Sequence, residues 1–176
     1  MKKSNLSFAL IVVAAMAAIS VFAWWTAKRA DMQMRNDLLQ QASLVAPAVD
    51  TEYVATLSGT ETDMAVPGFV LLRERLTRAR RVNEKCRFLY LLGQKRDSTV
   101  FFFLDTEPAD SKDYSPPGQV FSEVSSIVLR VFASGLAEVE GPQSDRWGVW
   151  ISALVPLRQP NTGKVVAVLG LSLIHI

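Results

Sequence analysis

Two residue types that carry much of enzyme and metal chemistry are nearly missing from this 176-residue chain, which has one histidine, His175, and one cysteine, Cys86. A lone cysteine excludes an intramolecular disulfide framework. A lone histidine beside the last residue leaves no Ser-His-Asp triad, no Cys-His dyad and no histidine-based metal site. A strong charge of either sign is missing too. The formal net charge is +2, and setting aside Lys2 and Lys3 leaves 19 − 2 = 17 basic residues against 17 acidic ones. The sequence contains no internal repeat and no low-complexity stretch. What it does have is apolar content: 49% of residues are hydrophobic, which excludes disorder. About 150 residues outside the N-terminal apolar run suffice for one domain core and not for two.

That run, Leu6 to Trp25, holds about 20 residues without a charge. At ~1.5 Å per residue a helix of this length spans roughly 30 Å, the hydrocarbon thickness of a bilayer. Trp24 and Trp25 end it with the amphipathic rings that favour the headgroup interface. Residues 1–5 then form a cytoplasmic tail and 6–25 a transmembrane anchor, with the lipid bilayer as a partner. The competing reading is a cleaved signal peptide with Val21-Phe22-Ala23 at the cut. Lys2 and Lys3 on one side nearly balance Lys28 and Arg29 on the other. The short tail decides for N-in, C-out, which exports everything after residue 25.

Residues 26–57 form a membrane-proximal helical segment. Met34, Leu38, Ala42 and Val45 make a narrow stripe, suited either to pairing with a second copy or to docking on a core. Pro47 ends or kinks the helix, and a further helical stretch runs from Ala48 to Leu57 before Ser58-Gly59. Pro67 opens another helix, with Phe69, Leu72, Leu76 and Ala79 on its apolar face and its arginine-rich side in water. The basic stretch Arg73–Arg87 lacks interleaved aromatics and is read as a solvated face, excluding nucleic acid as a partner. Strands are expected at Cys86–Leu92 and Thr99–Asp105, turning at Gly93–Ser98, with Val100, Phe102 and Leu104 on one face. Thr106–Gln119 is a long polar loop of the kind that often acts as a lid. A helix is expected over Val120–Ser134, stopped by Gly135. Strands follow at Ala137–Glu140, Trp147–Leu157 and from Lys164 to at least Gly170. The order implies an α+β fold, an antiparallel five-stranded sheet with flanking helices packed to one side.

Residues 58–170 resemble an extracytoplasmic Cache or PAS-like sensor domain of bacterial transmembrane receptors. The blocks that carry the resemblance are Leu57-Ser58-Gly59-Thr60 with Asp63, Cys86–Leu92, Phe101–Pro108, Ser111–Gln119, Glu140-Gly141-Pro142, Ser144–Gly148 and Ser152–Pro156. The resemblance implies a periplasmic or extracellular input domain at the bacterial inner membrane, a homodimer through the membrane-proximal helix, and a small-molecule ligand. It also implies a parent receptor of the sensor histidine kinase type, less often a diguanylate cyclase, within a two-component system. The chain itself shows no phosphoacceptor histidine motif and no nucleotide-binding glycine motif, so it is read as non-enzymatic, with no cofactor and no metal. The alternative is a membrane-anchored binding or scaffold protein without cytoplasmic output. In similar proteins Gly170 is soon followed by an aspartate and a second span. Residues 171–176, Leu-Ser-Leu-Ile-His-Ile, are what the codons CTG TCT CTT ATA CAC ATC of a sequencing-library adapter encode, and are read as such a scar on a truncated domain.

Seven residues are candidate ligand contacts. Asp105 ends a strand at the mouth of the long loop, where a carboxylate can meet a ligand amine or cap the loop. Tyr114, beside two prolines, closes a pocket or pins the loop. Asp145 and Arg146 precede Trp147; the arginine offers a bidentate fork to a carboxylate, or forms an internal salt bridge with an acid of the 105–113 loop. Trp147 and Trp150, three apart in a strand, should face opposite sides, so that at most one lines a pocket. Tyr90 is a sheet aromatic with a polar tip. Cys86 is read as an inert thiol.

Overall fold

The computed structural model describes the backbone of residues 2–83 and 85–174, and side chains from Val12 onward apart from Asp145. The first helix, α1, covers Lys2–Val45. Residues up to Asp37 form one unit and Leu38 onward a second. Among the described residues no helix is long and apolar enough to cross a membrane, and the first part of the uncharged run, 6–11, lies outside the described side chains. In the second unit Leu38 and Ala42 are 1% and 0% exposed, so this part of the stripe is docked on the domain. Pro47 falls in a single 3-10 turn, Ala46–Ala48. The following helix is shorter than its pattern promised: α2 covers only Thr51–Val54, started by Asp50, whose carboxylate accepts from the backbone N–H of Glu52 and Tyr53.

The remaining elements are α3 (Pro67–Val82), β1 (Cys86–Gln94), β2 (Val100–Asp105), α4 (Ser126–Ser134), β3 (Glu138–Asp145), β4 (Gly148–Arg158) and β5 (Val165–Ile174). The five strands make one antiparallel sheet in the order β2-β1-β5-β4-β3. The helices are not confined to one side as expected. On one face Val128 and Val131 of α4 pack with Leu92, Val100, Phe102, Leu154 and Val168. On the other, α3 packs on β1, and the end of α1 and α3 meet Leu89 and Leu171. The cause is in the strands: all six residues of β2 and six consecutive residues of β4 are buried, and a sheet apolar on both faces needs a cover on each.

The helix α4 begins six residues later than its hydrophobic pattern suggested. Val120 is used instead in an isolated bridge to Phe101, and Phe121 N–H bonds to Val100 O at 2.9 Å. This return of the chain covers the outer edge of β2, which would otherwise present unpaired backbone groups. Ser125 then starts the helix, its hydroxyl accepting from the N–H of Ile127 and Val128 at 3.2 Å each. Ser125→Ala is expected to lower the unfolding free energy by about 1 kcal/mol, measured by urea denaturation; an unchanged midpoint would show that the cap is not used.

The arginine-rich side of α3 does not simply face water. Arg73 donates to Asp105 O at 3.1 Å and Glu107 O at 2.6 Å. Arg80 pairs with the Glu107 carboxylate. From β1, Arg87 reaches both Glu107 at 2.5 Å and Asp113 at 2.9 Å. The basic and acidic stretches therefore neutralise one another across the start of the long loop, and Glu107 is buried between two guanidiniums.

Candidate functional site

A half-open cavity lies between the α4 face of the sheet and the chain segment from Asp113 to Val128. Every strand contributes to its wall: Phe88 and Tyr90 from β1, Phe102 and Asp105 from β2, Glu140 and Gln143 from β3, Trp150 and Ser152 from β4, and Ser172 from β5. The loop and the segment after it supply Asp113, Ser115, Phe121, Glu123 and, from α4, Val128, while Trp147 comes from the turn between β3 and β4. Room for the centres of water-sized groups amounts to about 50 Å³, enough for roughly three to five such groups.

Two β-bulges aim side chains into this space. Leu91 pairs with Leu104 but Leu92 with Phe102, so Phe103 is the extra residue of β2. Directly opposed residues share a face. Leu104 therefore turns with Leu91 to the α3 face rather than sharing a face with Phe102 as simple alternation implied, while Asp105 turns with Tyr90 toward the cavity. A second irregularity falls at Gly141-Pro142, between the pairs Glu140–Ser152 and Gln143–Trp150. It leaves Glu140 and Gln143, three apart in sequence, on one wall. Bulges of this kind are a usual means of re-aiming a side chain.

The two tryptophans correct a further expectation, since both line the cavity. Trp147 is not in a strand; it sits in the two-residue turn after Asp145, and β4 starts at Gly148 with a φ of 137°, a conformation L side chains rarely adopt. Period-two alternation therefore does not relate Trp147 to Trp150. Trp150 packs edge-on against Phe88 at 4.8 Å between centroids. Trp147 meets Phe102 at 6.3 Å and Phe121 at 6.2 Å. Tyr90 lies flat because its cross-strand partner is Gly170: a Cβ there would collide with the phenol ring.

Of the seven candidates, the structure brings Tyr90, Asp105, Trp147 and Trp150 together at the cavity. Tyr114 is not among its lining residues; its ring lies under Arg73 at 5.4 Å and its hydroxyl reaches Met64 Sδ at 4.0 Å, which pins the loop. Arg146 does not line the cavity either. It stacks on Trp147 at 4.0 Å and pairs with Glu123 at 3.6 Å, rather than with an acid of the 105–113 loop. The side chain of Asp145 lies outside the described residues. Reading by type and position missed Glu140, Gln143, Phe88, Phe102 and the polar groups Ser115 and Ser152. The Glu140-Gly141-Pro142 block was a usable signal, since glycine and proline inside a strand mark a bulge.

Asp105 caps the loop, one of the two roles considered for it, and also lines the cavity. Its carboxylate accepts from the N–H of Glu107 at 3.0 Å and of Ser115 at 2.9 Å, so it ties the two ends of the loop together while forming part of the cavity wall. Burial pushes its pKa up to about 6, against the pull of those two N–H groups. A carboxyl raised in the folded state makes its full contribution to stability below its unfolded value near 3.8 and loses it as pH rises through about 6. The difference amounts to about 3 kcal/mol. Asp105→Asn is expected to abolish this decline between pH 4 and 7, read from denaturant unfolding of both proteins across that range. Parallel profiles for the two would contradict the buried, titrating carboxyl.

Elsewhere, burial pushes the Asp63 carboxyl up, but bonds from Ser58 Oγ at 2.8 Å, Ser58 N–H at 3.1 Å and Gly59 N–H at 2.8 Å outweigh it and hold the group below its usual range. Burial pushes the Cys86 thiol up to about 12, so it is not a nucleophile at neutral pH. Among the described residues no group of three His, Cys, Asp or Glu side chains is placed to hold a metal ion.

No family model and no curated protein matches the chain. Among solved structures, it is similar to the ligand-binding domain of the Campylobacter jejuni chemoreceptor Tlp3 in complex with L-valine, at 11% identity and a TM-score of 0.40. That similarity covers 79% of this chain and 59% of the other.

Proposed function

We propose that residues 38–170 are the small-ligand-binding input domain of a membrane receptor, carried outside the cytoplasm on the uncharged run Leu6–Trp25. The observation that supports it is the cavity, because within 38–170 its wall takes residues from four strands and from the loop and helix that cover them. A ligand held there touches the sheet and its cover at once, so its binding free energy can favour one arrangement of the two over another. The domain binds and transmits and does not catalyse. Its parent is a sensor histidine kinase, with a diguanylate cyclase as the less favoured output.

The loop 106–119 is not the moving part in this reading. It is fastened by Arg73, Arg80, Arg87 and Asp105, and its end bonds to Phe102 through Gly118 N–H at 2.8 Å and Gln119 O at 3.0 Å. Movement is assigned to the turn carrying Arg146 and Trp147, which a partly exposed ion pair links to Glu123 of the lining. Dimerisation engages the exposed side of the membrane-proximal helix at Leu44, which is 75% exposed, and not the docked Leu38.

Hydrogen exchange on the membrane-bound protein, with and without a ligand found by thermal-shift screening, tests the mechanism. Protection is expected at 120–125 and 145–148; protection at neither would sink it. Leu44→Cys in a Cys86→Ser background should crosslink two copies, and its failure would remove the dimer. Sequencing the source locus beyond codon 170 separates receptor from anchored binding protein. A second apolar span and an output domain are expected, and a frame that stops after Leu-Ser-Leu-Ile-His-Ile leaves only the binding protein.

A further inference from the structure

The chemistry of the cavity wall narrows the class of its occupant, given that the cavity binds a small ligand as proposed. Among the described residues that line it are four carboxylates and no lysine, arginine or histidine. Asp113 is paired with Arg87 at 2.9 Å and Glu123 with Arg146 at 3.6 Å. Asp105 and Glu140 are 5% and 8% exposed and stand on opposite edge strands of the sheet. Six of the lining residues are aromatic, Trp147 and Trp150 among them. Such walls are attractive to a positive charge, because the face of each ring is the negative end of its quadrupole.

An anionic ligand entering here would meet carboxylates with no cationic side chain in the lining to receive it. A zwitterionic amino acid would bring the same unmatched carboxylate. A monocation meets the opposite situation, with carboxylate oxygens as acceptors and ring faces around its alkyl part. The space inside, about 50 Å³ for the centres of water-sized groups, suits a ligand of a few non-hydrogen atoms.

We infer that the cavity takes a small organic cation, a primary to quaternary alkylammonium lacking a carboxylate, held among the carboxylates of the wall and the Trp147 and Trp150 rings.

The test is a fluorescence titration of the full chain carrying Trp24→Phe and Trp25→Phe, so that emission arises from Trp147 and Trp150 alone among its four tryptophans. The probes are propylammonium, tetramethylammonium, 1-propanol, propionate and L-alanine at constant ionic strength. Saturable changes are expected with one or both ammonium probes and with none of the others. Glu140→Gln should weaken ammonium binding at least tenfold with a thermal midpoint near that of the parent. If that variant does not fold, Trp147→Leu, in the turn between β3 and β4, should show the same loss. Saturation by propanol, propionate or alanine with the ammonium probes silent would overturn the cation class and leave ligand binding standing. Silence of every probe would overturn both. Ammonium binding that neither variant weakens would overturn this site.

Discussion

Glu107→Ala is expected to destabilise the domain by about 3–5 kcal/mol, the usual result of removing one partner from a buried ion pair. Glu107 is 2% exposed. Its Oε1 receives both Arg80 and Arg87, and its Oε2 accepts from Ser111 Oγ at 3.3 Å. Alanine keeps the backbone bonds of residue 107, to Asp105 Oδ1 and from Arg73. What it removes is the negative charge between two guanidiniums, of which Arg80 has a side chain only 16% exposed. Arg80 is then left without its counter-ion in a region of reduced dielectric, beside an Arg87 that keeps only Asp113. For a domain of this size the thermal midpoint should fall by roughly 10–15 °C. Replacing Arg80 and Glu107 together by methionine should recover most of the loss, because an apolar pair of similar volume avoids the desolvation of both charges. Arg87 keeps Asp113 in that variant. Unfolding curves of the three proteins decide the matter: an alanine variant within about 1 kcal/mol of the parent would mean that water reaches the cluster and screens it.

This cluster also shows what could be read from residues alone and what could not. Both charge runs were plain in the sequence, but their pairing joins residues 27 and 34 positions apart. No local period encodes such a contact. The elements themselves were legible: Pro47, Gly135 and the polar turns bound them, and the strand runs at 86–92 and 99–105 stand within a few residues of β1 and β2. Asp63 with Ser58-Gly59 was visible as a block, and it folds as a turn stapled by one carboxylate. The faces of the strands were less legible, because alternation holds only while the register is unbroken. One extra residue, Phe103, reverses Leu104 and Asp105 relative to Phe102. The Gly141-Pro142 irregularity does the same for Gln143 relative to Glu140. Gln143 was invisible as a wall residue for that reason, and Trp147 was assigned to a strand when it belongs to a turn.

Phe102 joins stability to the site most directly, and Phe102→Ala is expected to cost about 3–5 kcal/mol. Its ring is 5% exposed, at the centre of the α4-side core. It meets Tyr90 at 5.7 Å, Phe121 at 5.4 Å and Trp147 at 6.3 Å between centroids. Loss of the ring leaves a void bordered by a sheet held in register on both sides of β1, so the surroundings can close on it only in part. The void opens into the cavity, and Trp147 loses one of its edge contacts. The variant should therefore combine a large fall in unfolding free energy with a shift of Trp147 emission, measured with Trp24 and Trp25 replaced by phenylalanine. Phe103→Ala supplies the contrast. That ring packs on Phe101 at 4.7 Å, beside Gly93 and away from the cavity. It is expected to lower stability and leave the emission unchanged. Equal spectral effects from the two alanine variants would contradict the bulge that separates their faces. Phe102→Leu should restore most of the stability, since a smaller apolar group still fills the centre of the cluster, while emission stays intermediate because the edge contact to Trp147 requires a ring.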